Sequence, residues 1–364
     1  MFRSLLRDRK LIALFLFAIL IKLFSTKEHW VESGYTYGLY PVISRIMRIM
    51  LGWIPISIGD ILYIAAFFFL VVKTWKLLKI LARRKVAEYL SWILFRKYLK
   101  LVLWIYIIFN LSWGLNYHRA GIASQLGLNV QAYTVTDLAD VTRALHQRLN
   151  EYAARTDSAR RLQLNNNDLL FRQAIDDYNL GKHSYAFLDY EAPSIKPSLF
   201  SPVGHYFGFS GYINPFTGEA QMNTAEPVFL KPFVINHEIA HQLGYGKENE
   251  ASFVSFLVSK ASSNIDFRYS LYYELFFNAL YECRRNGDTI TSKALLPSLH
   301  ARVIADKMEE RSFRQRRKNV VQPYVTDFYS GYLKMNNQPK GMATYNEVIA
   351  WLIAYLKKYG KTAI

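Results

Sequence analysis

The stretch Val234-Ile-Asn-His-Glu-Ile-Ala-His-Gln-Leu-Gly244 decides the fold of the region around it. Its apolar residues predict a helix over 234–244, with Gly244 as the residue that ends it. On such a helix His237 and His241 lie one turn apart and face the same side. This is the spacing at which two imidazoles bind one zinc ion and Glu238 takes a proton from the zinc-bound water. The stretch therefore predicts one catalytic zinc site carried by a helix.

A catalytic zinc site of this kind needs a third protein ligand and leaves the fourth position open. The longer pattern with a third histidine after Gly244 is excluded, because Lys247 occupies that position. A protonated lysine is a poor metal ligand, since its ammonium group carries no acceptor. Two carboxylates, Glu248 and Glu250, follow directly. The third ligand is therefore expected among these two residues.

Glu250 is the favoured third ligand on two grounds. In a helical hairpin that turns near Tyr245-Gly246, residues equidistant from the turn face each other, so Glu250 mirrors His241. On a helix that begins near Lys247, Glu250 also lies on the apolar face, where a buried carboxylate needs compensation by a cation. Glu248 is the alternative, although an acid in the first turn of a helix is also explained by the helix dipole.

The region after residue 116 is expected to be mainly helical with a small sheet. Pro, Gly and aromatic residues between Pro193 and Pro227 predict short strands and turns. Among them, Gly218–Ala225 predicts a strand just before the zinc-site helix, which either borders the cleft and pairs with an extended substrate or is an ordinary strand of the core. The fold class is therefore α+β, mainly helical. Apolar spacing predicts helices over 134–154, 165–180, 234–244, 248–261, 265–285, 297–312 and 343–359.

Three apolar runs in the first 116 residues predict transmembrane helices at about 8–25, 58–78 and 98–116. Asp60 stands at the edge of the second run, after Pro55 and Gly59, and is expected to cap a helix that begins at Ile61. The chain therefore divides into a membrane region, 1–116, and a catalytic domain, 117–364, with the lipid bilayer as a partner of the first.

The formal charge of +17 is unevenly distributed along the chain. Residues 1–116 hold 17 Lys+Arg against 5 Asp+Glu, a net of +12, whereas residues 117–364 hold 28 against 23, a net of +5. The basic residues concentrate at the N-terminus and between the second and third runs, and segments of this kind stay in the cytoplasm. The domain after residue 116 is therefore predicted to be extracytoplasmic. A nucleic-acid partner is not expected, because the excess charge lies beside membrane spans.

Two further features concern the site. The single cysteine, Cys283, excludes an internal disulfide and any site with several cysteine ligands. A peptidase site also needs a group that stabilises the negative charge of the transition state. The candidates for this group are Tyr324, Tyr329, Tyr332 and His205.

The zinc-site stretch, followed by Glu248-Asn-Glu-Ala-Ser-Phe253, resembles the gluzincin arrangement, in which a glutamate on the following helix supplies the third zinc ligand. Pro215-Phe-Thr-Gly-Glu-Ala220 and Tyr332-Leu-Lys334 are similar to segments of an uncharacterised bacterial family with N-terminal transmembrane segments and a zincin-like domain of unknown function. The likeness runs from the second apolar run onward. It implies a zinc metallopeptidase in the bacterial cytoplasmic (inner) membrane and names no substrate.

The sequence thus favours a membrane-anchored zinc metallopeptidase that hydrolyses a peptide or protein substrate. The alternative is a non-catalytic metal-binding domain that serves as a membrane sensor or scaffold. The presence of Glu238 argues against the alternative, because a binding-only site has no need of a general base.

Overall fold

The computed structural model describes residues 8–83 and 92–364. Several basic residues on which the predicted orientation rests, Arg3, Arg7, Arg84 and Lys85, lie outside the described residues. The described part is mainly helical and contains one three-stranded sheet, which confirms the predicted mixture of helices with a small sheet.

The N-terminal region consists of long helices joined by shorter ones. The elements are α1 (Arg9–Ser25), α2 (Glu28–Trp30), a π-helix (Val31–Leu39), α3 (Tyr40–Leu51), α4 (Ile58–Ala82) and α5 (Trp92–Ser112).

Helix α4 matches the second predicted span. Within the described ranges it is the helix long and apolar enough to cross a membrane by length and composition, and none of its most apolar window is buried by protein. Helices α1 and α5 coincide with the other two predicted spans and pack against each other. Asp8, which caps α1, also forms an ion pair with Lys100 of α5 at 2.7 Å. Membrane crossing by α1 and α5 stays a prediction.

The elements after α5 lead to the sheet and then to the helices around the predicted zinc site. The first group is α6 (Ile122–Gln125), α7 (Val135–Arg155), α8 (Ser158–Gln163), α9 (Asn167–Gly181), β1 (Ile195–Pro197), α10 (Ser201–Gly204), β2 (Gly211–Ile213) and β3 (Ala220–Met222). The second group is α11 (Lys231–Gln242), α12 (Glu248–Ser259), α13 (Ile265–Arg285), α14 (Thr289–Leu295), α15 (Ala301–Gln315), α16 (Gln322–Met335) and α17 (Val348–Tyr359). Short 3₁₀ segments lie at Gly114–His118, Ala186–Leu188, Leu296–Ser298, Gly341–Glu347 and Lys361–Ala363.

The predicted helices after residue 116 are confirmed, with ends shifted by a few residues. Helix α7 shows why the pattern worked: Thr134 and Asp137 form a capping box, and its apolar residues at helical spacing are fully buried against α13 and neighbouring helices. Helices α3 and α16 are present but were not predicted.

The sheet has the order β1-β3-β2, with β1 parallel and β2 antiparallel to β3. The strand expected within Gly218–Ala225 is therefore the central one. Its backbone groups pair on both sides, so the expectation that it pairs with a substrate is wrong. Strand β2 lies at one edge of the sheet, next to α11, which contacts both β2 and β3.

The segment between α1 and α4 packs against the region that follows residue 116. The hydroxyl group of Tyr40 on α3 donates a hydrogen bond to the Gln242 carbonyl at 2.8 Å. The Lys196 ammonium group on β1 donates to the carbonyl of Gly52 at 2.7 Å and to that of Ile54. Helix α3 thus helps to hold the end of α11, and the turn after α3 is held by β1.

The expectation that Asp60 caps a helix beginning at Ile61 is wrong. Helix α4 begins at Ile58, and the Ser57 side chain is the cap, accepting from the Asp60 N–H at 3.0 Å. The buried Asp60 carboxylate faces the domain instead, where it accepts from the Leu199 N–H at 2.7 Å and the Tyr212 hydroxyl at 2.6 Å.

Candidate metal centre

Helices α11 and α12 form a tight hairpin that carries the site. Helix α11 ends one residue before Leu243, and Gly244 then takes φ +86°, a conformation that favours glycine. A Cβ at Gly244 would also lie 2.9 Å from Tyr40 and 3.0 Å from Asn116, so the turn has no room for a side chain. Helix α12 begins only four residues later, at Glu248.

Three side chains from this hairpin converge on one point. The ligand atoms of His237, His241 and Glu248 all lie within 4.8 Å of one another, and all three residues are buried. The Glu248 Oε2 atom lies 3.1 Å from His237 Nε2 and 3.4 Å from His241 Nε2.

Each imidazole is oriented through its other nitrogen. His241 Nδ1 lies 2.6 Å from the Tyr245 carbonyl oxygen, which can only accept, so this nitrogen carries a proton and Nε2 is the atom that offers a lone pair in the neutral imidazole. His237 Nδ1 lies 3.2 Å from the Ser252 hydroxyl group. The main-chain carbonyl of His241 accepts from the Trp113 indole at 3.2 Å, which ties the helix to the end of α5. Such outer contacts fix the orientation of metal-binding histidines.

The three side chains fit a zinc ion. Bond lengths of about 2.0–2.1 Å in a tetrahedral site place neighbouring ligand atoms about 3.3 Å apart. The separations of 3.1 and 3.4 Å from Glu248 Oε2 match this value, and the two histidine ligand atoms lie within 4.8 Å of each other. Glu238 and Glu248 also place two carboxylates in one buried site, and the Glu238 Oε2 atom has no hydrogen-bond partner among the described residues. A divalent cation would balance this charge.

Glu250, the expected third ligand, does not join this cluster. Residues two apart on a helix differ by about 200° in direction, so Glu250 points away when Glu248 points at the histidines. The Glu250 carboxylate is instead buried against Gly121, at whose position a Cβ would overlap Oε1, and it lies 3.4 Å from the Lys247 ammonium. Burial raises the pKa of Glu250, and the nearby Lys247 and Arg119 partly offset this increase.

The ionisable groups of the cluster shift in different directions. Burial raises the pKa of Glu238 to about 8, and the neighbouring Glu248 carboxylate adds to the increase. Burial lowers the pKa of His237. For His241 the attraction of Glu248 outweighs burial and raises the pKa to about 9. A cation at the convergence point would displace the proton from His241 and favour the ionised form of Glu238.

A cavity of about 940 Å³ opens on the cluster and is lined by its three side chains and by Glu238. Glu238 lies against β2, where a Cβ on Gly211 would come within 2.6 Å of Glu238 Oε1. Two main-chain hydrogen bonds flank β2, from Asn223 N–H to Ser210 O at 3.0 Å and from Asn214 N–H to Glu219 O at 2.9 Å. They show that the peptide groups of Ser210 and Asn214 point toward the β3 side. By the alternation of antiparallel pairing, the peptide groups of Gly211 and Ile213 face away from β3.

Of the four residues predicted to stabilise the transition state, two line the cavity and two do not. Tyr329 lines the cavity, and its hydroxyl donates to Glu248 Oε1 at 2.8 Å, so it holds the Glu248 carboxylate in place. Tyr332 also lines the cavity and lies 3.1 Å from the Tyr117 hydroxyl. Tyr324 is exposed, and His205 is buried beside Asn223 and Glu226, outside the lining of this cavity.

One site residue was not predicted. Tyr345 stacks on the His237 ring, with ring centroids 6.2 Å apart, and interacts with Glu248 and Tyr329. It lies about a hundred residues after the histidines, in a 3₁₀ segment, and no local pattern marks it among 26 tyrosines.

Comparison with known proteins adds one match. A family model described as "Protein of unknown function (DUF3810)" matches residues 35–353, which is most of the chain. No curated protein and no solved structure matches the sequence or the fold.

Proposed function

Because the chain belongs to the DUF3810 family, whose function is unknown, we propose a function from the site itself. The protein is a membrane-anchored, zinc-dependent metallopeptidase whose catalytic domain lies outside the cytoplasm. His237, His241 and Glu248 bind zinc, and Glu238 is the general base.

The observation that carries the proposal is the position of Glu238. Three buried ligand atoms converge beside it, and its own carboxylate faces the cavity with an oxygen that lacks a partner among the described residues. A domain that only binds a metal needs three or four ligands but no free carboxylate next to them.

Each residue has a defined part in amide hydrolysis. Bound zinc would polarise the substrate carbonyl and the attacking water. Glu238 takes a proton from that water as the water oxygen bonds to the carbonyl carbon. The C–N bond then breaks, and the proton passes from Glu238 to the leaving amine. Tyr329 holds the Glu248 carboxylate in place through its hydroxyl group.

The free edge of β2 supports an extended peptide as substrate. The peptide groups of Gly211 and Ile213 face away from β3, and both residues line the cavity next to Glu238. A peptide added at this edge would form main-chain hydrogen bonds and place one of its amide bonds near Glu238.

The membrane placement is supported by the ends of the three long helices. The C-terminal end of α5 and the N-terminal end of α4 contact the domain, and the segment after α1 does so through α3. The predicted topology places these three ends on one side of the bilayer, outside the cytoplasm. The exposed apolar surface of α4, which includes Phe67 and Phe68, suits contact with lipid.

The test compares zinc content and peptide hydrolysis of the purified full chain with those of three variants. E238Q is expected to keep zinc and to lose activity by about 100-fold or more, because only the base is removed. E248A is expected to bind zinc at least about 100-fold more weakly, since a direct ligand is lost. E250Q is the matched control and is expected to bind zinc like the wild type.

The outcomes separate the alternatives. Full activity in E238Q would refute the mechanism, and zinc binding without any peptide hydrolysis by the wild type would favour the sensor or scaffold alternative. Loss of zinc in E250Q but not in E248A would return the third ligand to Glu250.

A further inference from the structure

The cavity above the candidate metal centre is large, and its lining is mainly apolar. Its volume of about 940 Å³ is near the upper end of the ~300–1,000 Å³ typical of ligand pockets. Apart from the four side chains of the metal centre, the charged residues in its lining are Glu274 and Arg314, within the described part of the chain. The lining otherwise consists mainly of aromatic and aliphatic side chains, which indicates an apolar occupant.

Part of the cavity wall comes from the predicted membrane helices. Tyr63 of α4 and Phe109 of α5 line it, and Trp113 follows directly after α5. Phe109 also contacts Phe216 of the domain, with ring centroids 6.4 Å apart. The cavity therefore extends from the zinc-site cluster to the helix ends that lie at the predicted outer surface of the bilayer.

Helix α16 forms another wall and carries an apolar outer face. Tyr324, Phe328 and Met335 are spaced four and seven residues apart and are 76%, 78% and 78% exposed. Phe328 also lines the cavity, and Tyr332 of the same helix contacts Tyr117 just beyond α5. An apolar helix face next to the membrane helices, with no protein covering it in the described chain, suits the bilayer surface.

From these three observations, and resting on the proposed function, we infer that the substrate carries a long apolar group close to the bond that is cut. The group lies between α4, α5 and α16 and reaches the cavity from the outer surface of the membrane. A run of large apolar side chains and a fatty acyl chain share this chemistry.

The test uses the full chain in lipid nanodiscs and three synthetic peptides with one common cleavage sequence. The first peptide is polar throughout, the second has a run of leucines, and the third is the polar peptide with an N-terminal palmitoyl group. At least one apolar peptide is expected to show kcat/KM about 10-fold or more above that of the polar peptide. Binding of fluorescent versions to zinc-loaded E238Q gives a second measurement that does not depend on cleavage.

Two exposed apolar positions give a matched pair of variants. F328S is expected to reduce the preference for the apolar peptide by about 10-fold, because a large side chain in the cavity wall is lost. I290S changes an 81% exposed residue on α14 that does not line the cavity, and it is expected to leave the preference unchanged.

The possible results are distinct. Preference for the leucine peptide alone identifies side chains as the apolar group, and preference for the palmitoyl peptide alone identifies an acyl chain. Equal cleavage and equal binding of all three peptides, or an unchanged preference in F328S, overturns the inference while the proposed peptidase stands. Apolar preference in binding with no cleavage by the wild type overturns the peptidase and leaves the inferred ligand class in place.

Discussion

At the scale of single residues, the candidate metal centre concentrates ionisable groups in a buried site. Glu238 and Glu248 share a buried site with His237 and His241. Burial raises the pKa of Glu238 to about 8, and Glu248 raises the pKa of His241 to about 9. Without a cation, these two side chains therefore hold protons at neutral pH. A zinc ion would replace those protons with metal bonds. Under the proposed function, the same arrangement would both bind the ion and prepare Glu238 to accept a proton.

A second buried acid, Asp177 on α9, gives a prediction about stability and pH. Burial raises its pKa from 3.8 to about 7, although Ser262 and Gln173 donate hydrogen bonds to it. The folded protein thus binds this proton more tightly than the unfolded chain does. The favourable contribution of this proton to the free energy of unfolding is fully present below about pH 4 and is lost as the pH rises through about 7.

We therefore expect D177N to raise the free energy of unfolding by ~2 kcal/mol at pH 8 and to have little effect at pH 4. Thermal unfolding of the detergent-solubilised protein at the two pH values measures this difference. D176N removes the same charge from the exposed neighbouring position and is expected to change the free energy by no more than ~0.5 kcal/mol. An equal effect of D177N at both pH values would show that the proton is not the cause.

At the scale of elements, the start of α4 is docked onto the sheet by polar contacts. The buried Glu219 carboxylate accepts from the N–H groups of Ile58 at 3.2 Å and Gly59 at 2.6 Å. The Gln221 amide donates to the Ser57 hydroxyl at 3.0 Å. A carboxylate at a helix N-terminus satisfies unpaired N–H groups and is favoured by the helix dipole. The predicted membrane anchor is thereby joined to the sheet that borders the metal centre.

Gly59 tests this junction, because it allows the sheet to approach α4 closely. A Cβ at Gly59 would lie 2.5 Å from the Asn214 amide and 2.7 Å from that of Gln221. We expect G59A to lower the free energy of unfolding by ~1–3 kcal/mol, since buried side chains must shift. Thermal unfolding followed by circular dichroism measures the change.

Gly331 on α16 is the matched control. A Cβ there meets nothing within 4 Å, so G331A is expected to be neutral or to stabilise the helix by up to ~1 kcal/mol. Equal stability of G59A and the wild type would mean that the junction can relax without cost.

At the scale of the whole molecule, the proposed orientation places the two ends of α4 on opposite sides of the membrane. Cys283 is buried and is the single native cysteine, so an introduced cysteine can be labelled with little background. Ile290 lies exposed on the domain, and Arg83 lies exposed at the far end of α4.

In spheroplasts treated with a membrane-impermeant maleimide, I290C is expected to react and R83C to stay unlabelled until the membrane is permeabilised. The wild type is the control for reaction at Cys283. Labelling of R83C with protection of I290C would reverse the orientation and contradict an extracytoplasmic catalytic domain.

Local pattern predicted much of the domain. The helices α7 and α11 to α13 follow from apolar spacing and caps, and the approach of His237 to His241 follows from four residues of helical rise. The choice of Glu248 over Glu250 depends on which face of α12 meets α11, because side chains two residues apart on a helix point in nearly opposite directions. The start of α12 at residue 248 was predicted correctly, but a helix start does not determine how two helices are rotated against each other.

The sequence by itself determined that the chain carries a helical pair of histidines beside a glutamate, mainly helical structure with a small sheet, and a strongly apolar α4. Only the tertiary structure decided which carboxylate completes the cluster, that Tyr345 and Tyr329 surround it, that β2 is the edge strand, and that Glu219 receives the start of α4. The physical reason is the distance along the chain between the residues that interact. Spacing along a helix is set by bonds between near neighbours, whereas these contacts join residues that meet only when the whole chain has packed.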